Sequence, residues 1–129
     1  MLDHVNLNVS DFARSRAFYT QALAPLGFTP SWEPIEGVLG FAEDVGGFQK
    51  PSFWINSLRQ PVSVLHVAFA APDRATVDEF HAAALDAGGT DNGGPGVREL
   101  YHPHYYGAFV LDPDGNNIEA VCHRRVEDG

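Results

Sequence analysis

An internal repeat restricts how this chain can fold more than any other feature. Residues 2–28 (LDHVNLNVSDFARSRAFYTQALAPLGF) align without gaps on residues 64–90 (VLHVAFAAPDRATVDEFHAAALDAGGT) at a shift of 62 positions. The shift places His4 on His66, Val5 on Val67, Asp11 on Asp73, Phe18 on Phe80, Ala22 on Ala84, Leu23 on Leu85 and Gly27 on Gly89. Self-similarity at a fixed offset means one supersecondary unit built twice.

Both copies have the same layout. Each opens with an apolar, β-branched run, 2–9 and 63–70, that predicts a strand, followed by Asp11 or Asp73, an acid suited to a helix N-terminus. In the second copy Val77, Phe80, Ala84 and Leu85 recur at helical spacing. Gly88 and Gly89 then supply the stop that a left-handed cap favours, and Gly27 ends the first copy likewise. Short extended runs broken by glycine and proline follow at 28–34, 37–45 and 51–58, and again at 97–101, 105–112 and 116–123. The DPDG at 112–115 is a turn signal, because Pro113 fixes φ and Gly115 tolerates positive φ.

The predicted order is therefore βαβββ twice, an α+β class, in one domain over 1–129. Module one spans 1–58, a linker 59–62, module two 63–123 and a tail 124–129. The glycine-rich stretch 88–96 is expected to be a flexible loop bordering a pocket.

Composition narrows the function. With 17 acids against 8 bases the formal charge is −9, which repels phosphate backbones and argues against nucleic acid as a partner. A small-molecule substrate fits better. No run approaches the roughly 18 apolar residues of a membrane span, and the N-terminus lacks a basic segment ahead of a hydrophobic stretch, so a cytoplasmic location is expected. Cys122 is the only cysteine, which leaves nitrogen and oxygen as ligands for any metal; its own role is that of a small buried hydrophobe.

The repeat makes His4 and His66 equivalent positions on equivalent strands. Glu119 lies in GNNIEAV on the last strand, with Ile118 and Ala120 pointing the other way. A carboxylate among buried neighbours costs several kcal/mol unless it is neutralised or bound to a cation. Two imidazoles and one carboxylate suit one divalent ion, Fe(II) foremost and also Mn, Ni, Co or Zn, with positions left open for substrate. The candidate metal ligands are thus His4, His66 and Glu119. The alternative for each is a hydrogen-bonded residue with no metal role.

Three stretches, LDHVNLNVSDFARSRAFY, LHVAFAA and YYGAFVLDPDGNNIEAV, resemble the vicinal oxygen chelate superfamily. That superfamily holds glyoxalase I, extradiol dioxygenases, fosfomycin-modifying enzymes and bleomycin-resistance proteins. The resemblance implies paired βαβββ modules forming an open, curved mixed sheet around a metal that binds vicinal oxygens of the substrate. It puts His4, His66 and Glu119 at the ligand positions. Glyoxalase I has a fourth ligand, an acid on the last strand of its first module; here that strand reads PSFWINS, with Asn56 as the substitute.

Dioxygenases of this kind use a further histidine and tyrosine, for which His102, His104, Tyr105 or Tyr106 stand by residue type; His104 and Tyr106 are taken as the catalytic pair. The phosphonate-binding transferases surround substrate with bases, of which Arg98 is the plainest here. The stretch YHPHYYG at 101–107 is expected to line the pocket, with His-Pro-His as an alternative second metal site. Phe53 and Trp54 are read as core aromatics, the alternative being rings that stack on an aromatic or planar substrate, and His81 as a solvent-facing helical residue. The resemblance also implies a homodimer, in which His4 and His66 of one site can come from different chains. Lyase, isomerase or ring-cleaving dioxygenase chemistry is expected; the rival reading is a metal-free protein that binds a drug or aromatic metabolite.

Overall fold

A computed structural model of the chain describes residues 2–47 and 49–125. The order is β1 (Val5–Asn8), α1 (Phe12–Ala22), a short 3-10 turn (Ala24–Leu26), β2 (Phe28–Ile35), β3 (Val38–Glu43) and β4 (Phe53–Asn56). Then come β5 (His66–Ala70), α2 (Arg74–Asp86), β6 (Thr90–Val97), β7 (Tyr106–Leu111) and β8 (Asn117–Cys122). Each βαβββ unit makes its own four-stranded mixed sheet, in the orders β1-β4-β3-β2 and β5-β8-β7-β6. The α+β class and the two-module plan are as the repeat requires. Residues 124 and 125 of the expected tail are irregular, and 126–129 lie outside the described residues.

The two helices start as the acids predict. Asp11 accepts from the Arg14 amide at 3.1 Å, and Asp73 from the Thr76 amide at 2.8 Å and its hydroxyl at 2.7 Å. Their ends differ. Gly88 closes α2 with φ +98°, whereas α1 stops at Ala22, five residues before Gly27. Pro25 is the reason: it has no amide hydrogen to continue the ladder, and its ring disfavours a helical residue before it, so the chain tightens into the 3-10 turn.

One strand departs from expectation. The glycine-rich stretch is β6, Thr90–Val97, paired antiparallel with β7 and irregular in register on either side of Gly93. Residues 98–101, expected as strand, are its exit turn.

The core is common to both halves. Phe18 and Tyr19 of α1 meet edge to face at 4.9 Å; Tyr19 lies 5.0 Å from Phe53 on β4, and Phe53 lies 5.3 Å from Phe69 on β5. Val77, Phe80 and Ala84 of α2 join the same cluster. Both sheets therefore turn their helix-facing sides inward. Their opposite faces are left open, with Asn6, Ala68 and Ala70 exposed.

A buried polar joint ties the halves together. The Tyr19 hydroxyl donates to Asp112 Oδ2 at 2.5 Å, while Asp112 also accepts from the Asp114 and Asn116 amides and from Asn116 Nδ2. Burial first, and then the Asp112 charge and hydrogen bond, push the Tyr19 phenol well above its ordinary value. Ser10 also binds Asp114, so the DPDG turn serves as the anchor of module one on module two.

Candidate metal centre

On the open face of module two, His66 Nε2 lies 2.7 Å from Glu119 Oε1. The parallel register of β5 and β8 sets this up: Ala68 is opposite Glu119 and His66 opposite Asn117, so both side chains rise from the same side. Glu119 is 1 % exposed whereas the His66 side chain is 54 % exposed, so the pair has a sealed end and a reachable end. The Tyr105 hydroxyl donates to the other oxygen, Glu119 Oε2. Gly107 makes room for this, since a Cβ there would stand 3.2 Å from the Tyr105 ring and 3.3 Å from Glu119 Oε2.

Burial of Tyr105, then the Glu119 hydrogen bond and charge, push its phenol up to about 12, with Arg98 acting the other way. The proton therefore stays on Tyr105, and the tyrosine is a fixed donor to the carboxylate at neutral pH. Tyr106, the neighbour named from the sequence, points to the helical side. Its hydroxyl donates to Asp78 at 2.6 Å and Arg74 lies over its ring. Alternation along β7 means that only one of these two tyrosines can reach Glu119, and it is Tyr105.

Of the remaining sequence candidates, only some lie near this group. His104 is half-buried in the 98–105 loop, its amide donating to His102 Nδ1 at 3.0 Å. The rings of His102 and His123 lie 6.0 Å apart, and that of His123 is 5.2 Å from Tyr105. His81, expected to face solvent, is largely covered and lies 2.9 Å from Asp91. Phe53 is core, whereas Trp54, read as core with it, sits on the open face with its ring 5.9 Å from exposed Trp32. Cys122 is buried.

His4 stands apart from the pair. Its Nδ1 lies 2.7 Å from Asp3, which also pairs with Lys50. Among the described residues no three His, Cys, Asp or Glu side chains come together closely enough to hold one cation. The cause is topological. β1 and β5 are edge strands of separate sheets, so their equivalent histidines do not converge within one chain.

Register also relocates the module-one counterpart of Glu119. Glu119 is opposite Ala68, whose repeat equivalent Asn6 is opposite Trp54. Trp54 rather than Asn56 therefore occupies the place where a fourth, acidic ligand would stand.

The donors fit a first-row divalent ion as far as one chain carries them. Glu119 is a sealed carboxylate with the His66 imidazole nitrogen against one oxygen and the Tyr105 hydroxyl on the other. Nitrogen plus oxygen is the donor type that such ions accept.

The family model described as Glyoxalase/Bleomycin resistance protein/Dioxygenase superfamily matches residues 1–120. Among solved structures, a glyoxalase/bleomycin resistance protein from Albidiferax ferrireducens T118 is 31% identical, with a TM-score of 0.77 over 97% of this chain and 99% of that one. A lactoylglutathione lyase from Agrobacterium tumefaciens is 17% identical, with a TM-score of 0.65 over 95% and 92%. A glyoxalase/dioxygenase from Nostoc punctiforme is 20% identical, with a TM-score of 0.66 over 97% and 92%. Among curated proteins no match is found.

Proposed function

The chain belongs to the Glyoxalase/Bleomycin resistance protein/Dioxygenase superfamily, and from that premise we propose that it is a metal-dependent enzyme acting on a small substrate that chelates through vicinal oxygens. One observation carries the reading: Glu119 is buried on the open face with His66 against it, and no lysine or arginine is paired with it among the described residues. A sealed carboxylate of this kind is stabilised by a bound cation.

His66 and Glu119 of one chain and His4 of a second copy would hold the ion, so the functional unit is a homodimer. When bound, the ion supplies Lewis acidity toward a substrate carbonyl or enolate oxygen. The chain's own groups do the rest. Tyr105 holds the carboxylate in one orientation by donating to Oε2. His104, half-buried on the loop beside β7, moves a proton. Tyr106 is left out of this role because its hydroxyl is bound to Asp78 on the helical side. Substrate would arrive from the side of the exposed His66 ring.

Metal content by plasma mass spectrometry tests the set. Wild type is expected to hold about one ion per chain, and His4→Ala, His66→Ala and Glu119→Ala to lose it. Mixing His4→Ala with Glu119→Ala protein should restore one intact site in each mixed dimer; no recovery would defeat the shared site. A second reading, a metal-free binder of small molecules, draws on the separation of His4 from the other two. It wins if wild type cannot be loaded with Fe, Mn, Ni, Co or Zn.

A further inference from the structure

Arg98 leaves β6 at its C-terminal end, and its amide donates to the Tyr105 carbonyl at 2.7 Å, which closes the base of the 98–105 loop and fixes where the side chain starts. The side chain then folds back along β6. Nη2 donates to the Gly94 carbonyl at 2.7 Å, and the guanidinium carbon lies 5.3 Å from the centre of the Phe109 ring.

The glycines of β6 make this possible. A Cβ on Gly93 would stand 3.2 Å from Nη2, and one on Gly96 3.0 Å from Nη1. The strand that composition alone makes a flexible loop is thus a trough in which a guanidinium rests.

Phe109 is directly opposite Glu119 in the β7–β8 register, and its ring is 6.3 Å from that of His66. The guanidinium accordingly shares the open face with the candidate ligands. No carboxylate forms an ion pair with it among the described residues, although the chain has 17 acids against 8 bases. Arg16, by contrast, is paired with Glu33. A guanidinium has five N–H donors in a planar fork. Held by one carbonyl and one ring, it keeps most of that fork for an oxyanion, which it binds in bidentate fashion.

We propose that Arg98 is a specificity-determining residue that binds a carboxylate of the substrate, so that the substrate class is small acids bearing vicinal oxygens. The assignment rests on the metal-dependent reading above for the vicinal oxygens, and on the Arg98 trough alone for the carboxylate.

The test uses a matched pair of probes, catechol and protocatechuate, which share the vicinal diol and differ by one carboxylate. Dissociation constants are measured by calorimetry on cobalt-loaded protein, together with metal content. Wild type is expected to prefer protocatechuate about tenfold or more, the worth of one charged hydrogen-bonding contact. In Arg98→Met the preference should fall to near unity while catechol affinity and metal content hold; Arg98→Lys should keep part of it. Equal affinities in wild type, or a preference that survives in Arg98→Met, overturn the assignment. So does conversion of the Arg98→Met protein from dimer to monomer, which would give the guanidinium to a second copy's acid. Should no metal load, the metal reading fails by itself. Benzoate against benzamide on metal-free wild type and Arg98→Met still decides the role of Arg98, by the same two outcomes.

Discussion

One row across the open face carries different chemistry in the two halves. In module one it runs Asn6, Trp54, Gly40, Trp32; in module two it runs Ala68, Glu119, Phe109, Gly93. The first two positions are small then large in both rows, whereas the last two are exchanged: Gly40 then Trp32 in module one, Phe109 then Gly93 in module two. In the first, the Trp54 ring lies against Gly40, where a Cβ would come within 3.0 Å of it. In the second, Arg98 rests over Gly93 and Phe109 beside a buried carboxylate. A repeated backbone thus fixes where side chains stand without fixing what they are. One half presents an indole wall and the other the charged groups, so a ligand site built from both has an apolar side and an ionic side.

The largest effect that sharpens this contrast lies on β4, where adjacent residues face opposite ways. Phe53 is 2 % exposed and packs on Tyr19, Phe41 and Phe69. Phe53→Ala should cost about 3–5 kcal/mol of folding stability. Trp54→Ala removes a half-buried ring whose partner is Trp32, and should cost about 1 kcal/mol. Urea denaturation of both variants gives the numbers. Comparable losses would mean that the open face of module one is as tightly packed as the core, and the contrast between the faces would collapse.

The next effect separates Tyr105, just before β7, from Tyr106 at its start. Tyr105→Phe removes the donor to Glu119 Oε2, and on the proposed reading should weaken metal binding about 10–100-fold, as loss of a hydrogen bond to a ligand does. Tyr106→Phe removes a bond to Asp78 on the helical side and should leave affinity unchanged. Competition against a chromogenic chelator reads both. An effect of Tyr106→Phe as large as that of Tyr105→Phe would defeat the assignment of faces.

The joint between the halves comes third. Tyr19→Phe leaves buried Asp112 short of one donor and should cost about 1–2 kcal/mol. The Tyr19 phenol is raised in the folded state, so its proton is retained where an unfolded tyrosine, near pH 10, gives its proton up. The stabilisation is complete below that pH and is lost as the pH rises past it. Wild type should therefore lose stability from about pH 10 upward, and Tyr19→Phe should lose less over the same range. Parallel curves would show that the joint does not carry the slope.

Much of this was legible in the sequence because the repeat speaks for both halves at once. The two helices, their acidic caps and the Gly88 stop follow from residue type at matched positions. The same shift of 62 also carries β2, Phe28–Ile35, onto β6, Thr90–Val97, and so held the signal for the missed strand. Glycine content overrode it, because propensity describes a lone strand and β6 is held by its pairing with β7.

What stayed hidden depends on register. A slip of one residue exchanges the two faces of a strand, so Tyr105 could not be chosen over Tyr106, nor Trp54 recognised as the counterpart of Glu119, before pairing was known. The separation of His4 from His66 is of another kind. It depends on β1 and β5 being edge strands of two separate sheets, and equivalent positions in a repeat do not encode that.

The smallest effect sets the helices against each other at one matched position. Ser15 on α1 is the repeat equivalent of Val77 on α2, and both are buried. Val77 contributes apolar area to the core, whereas the Ser15 hydroxyl has no hydrogen-bond partner among the described residues. An orphaned hydroxyl of this kind carries an uncompensated desolvation cost, and alanine is also the better helix former. Ser15→Ala should therefore raise stability, by up to about 1 kcal/mol, although it removes a polar group from the interior. A rise in the urea midpoint with the slope unchanged is the expected result. A fall would mean that the hydroxyl is satisfied in solution, and that the two helices differ at this position by a polar contact in α1 rather than by a defect.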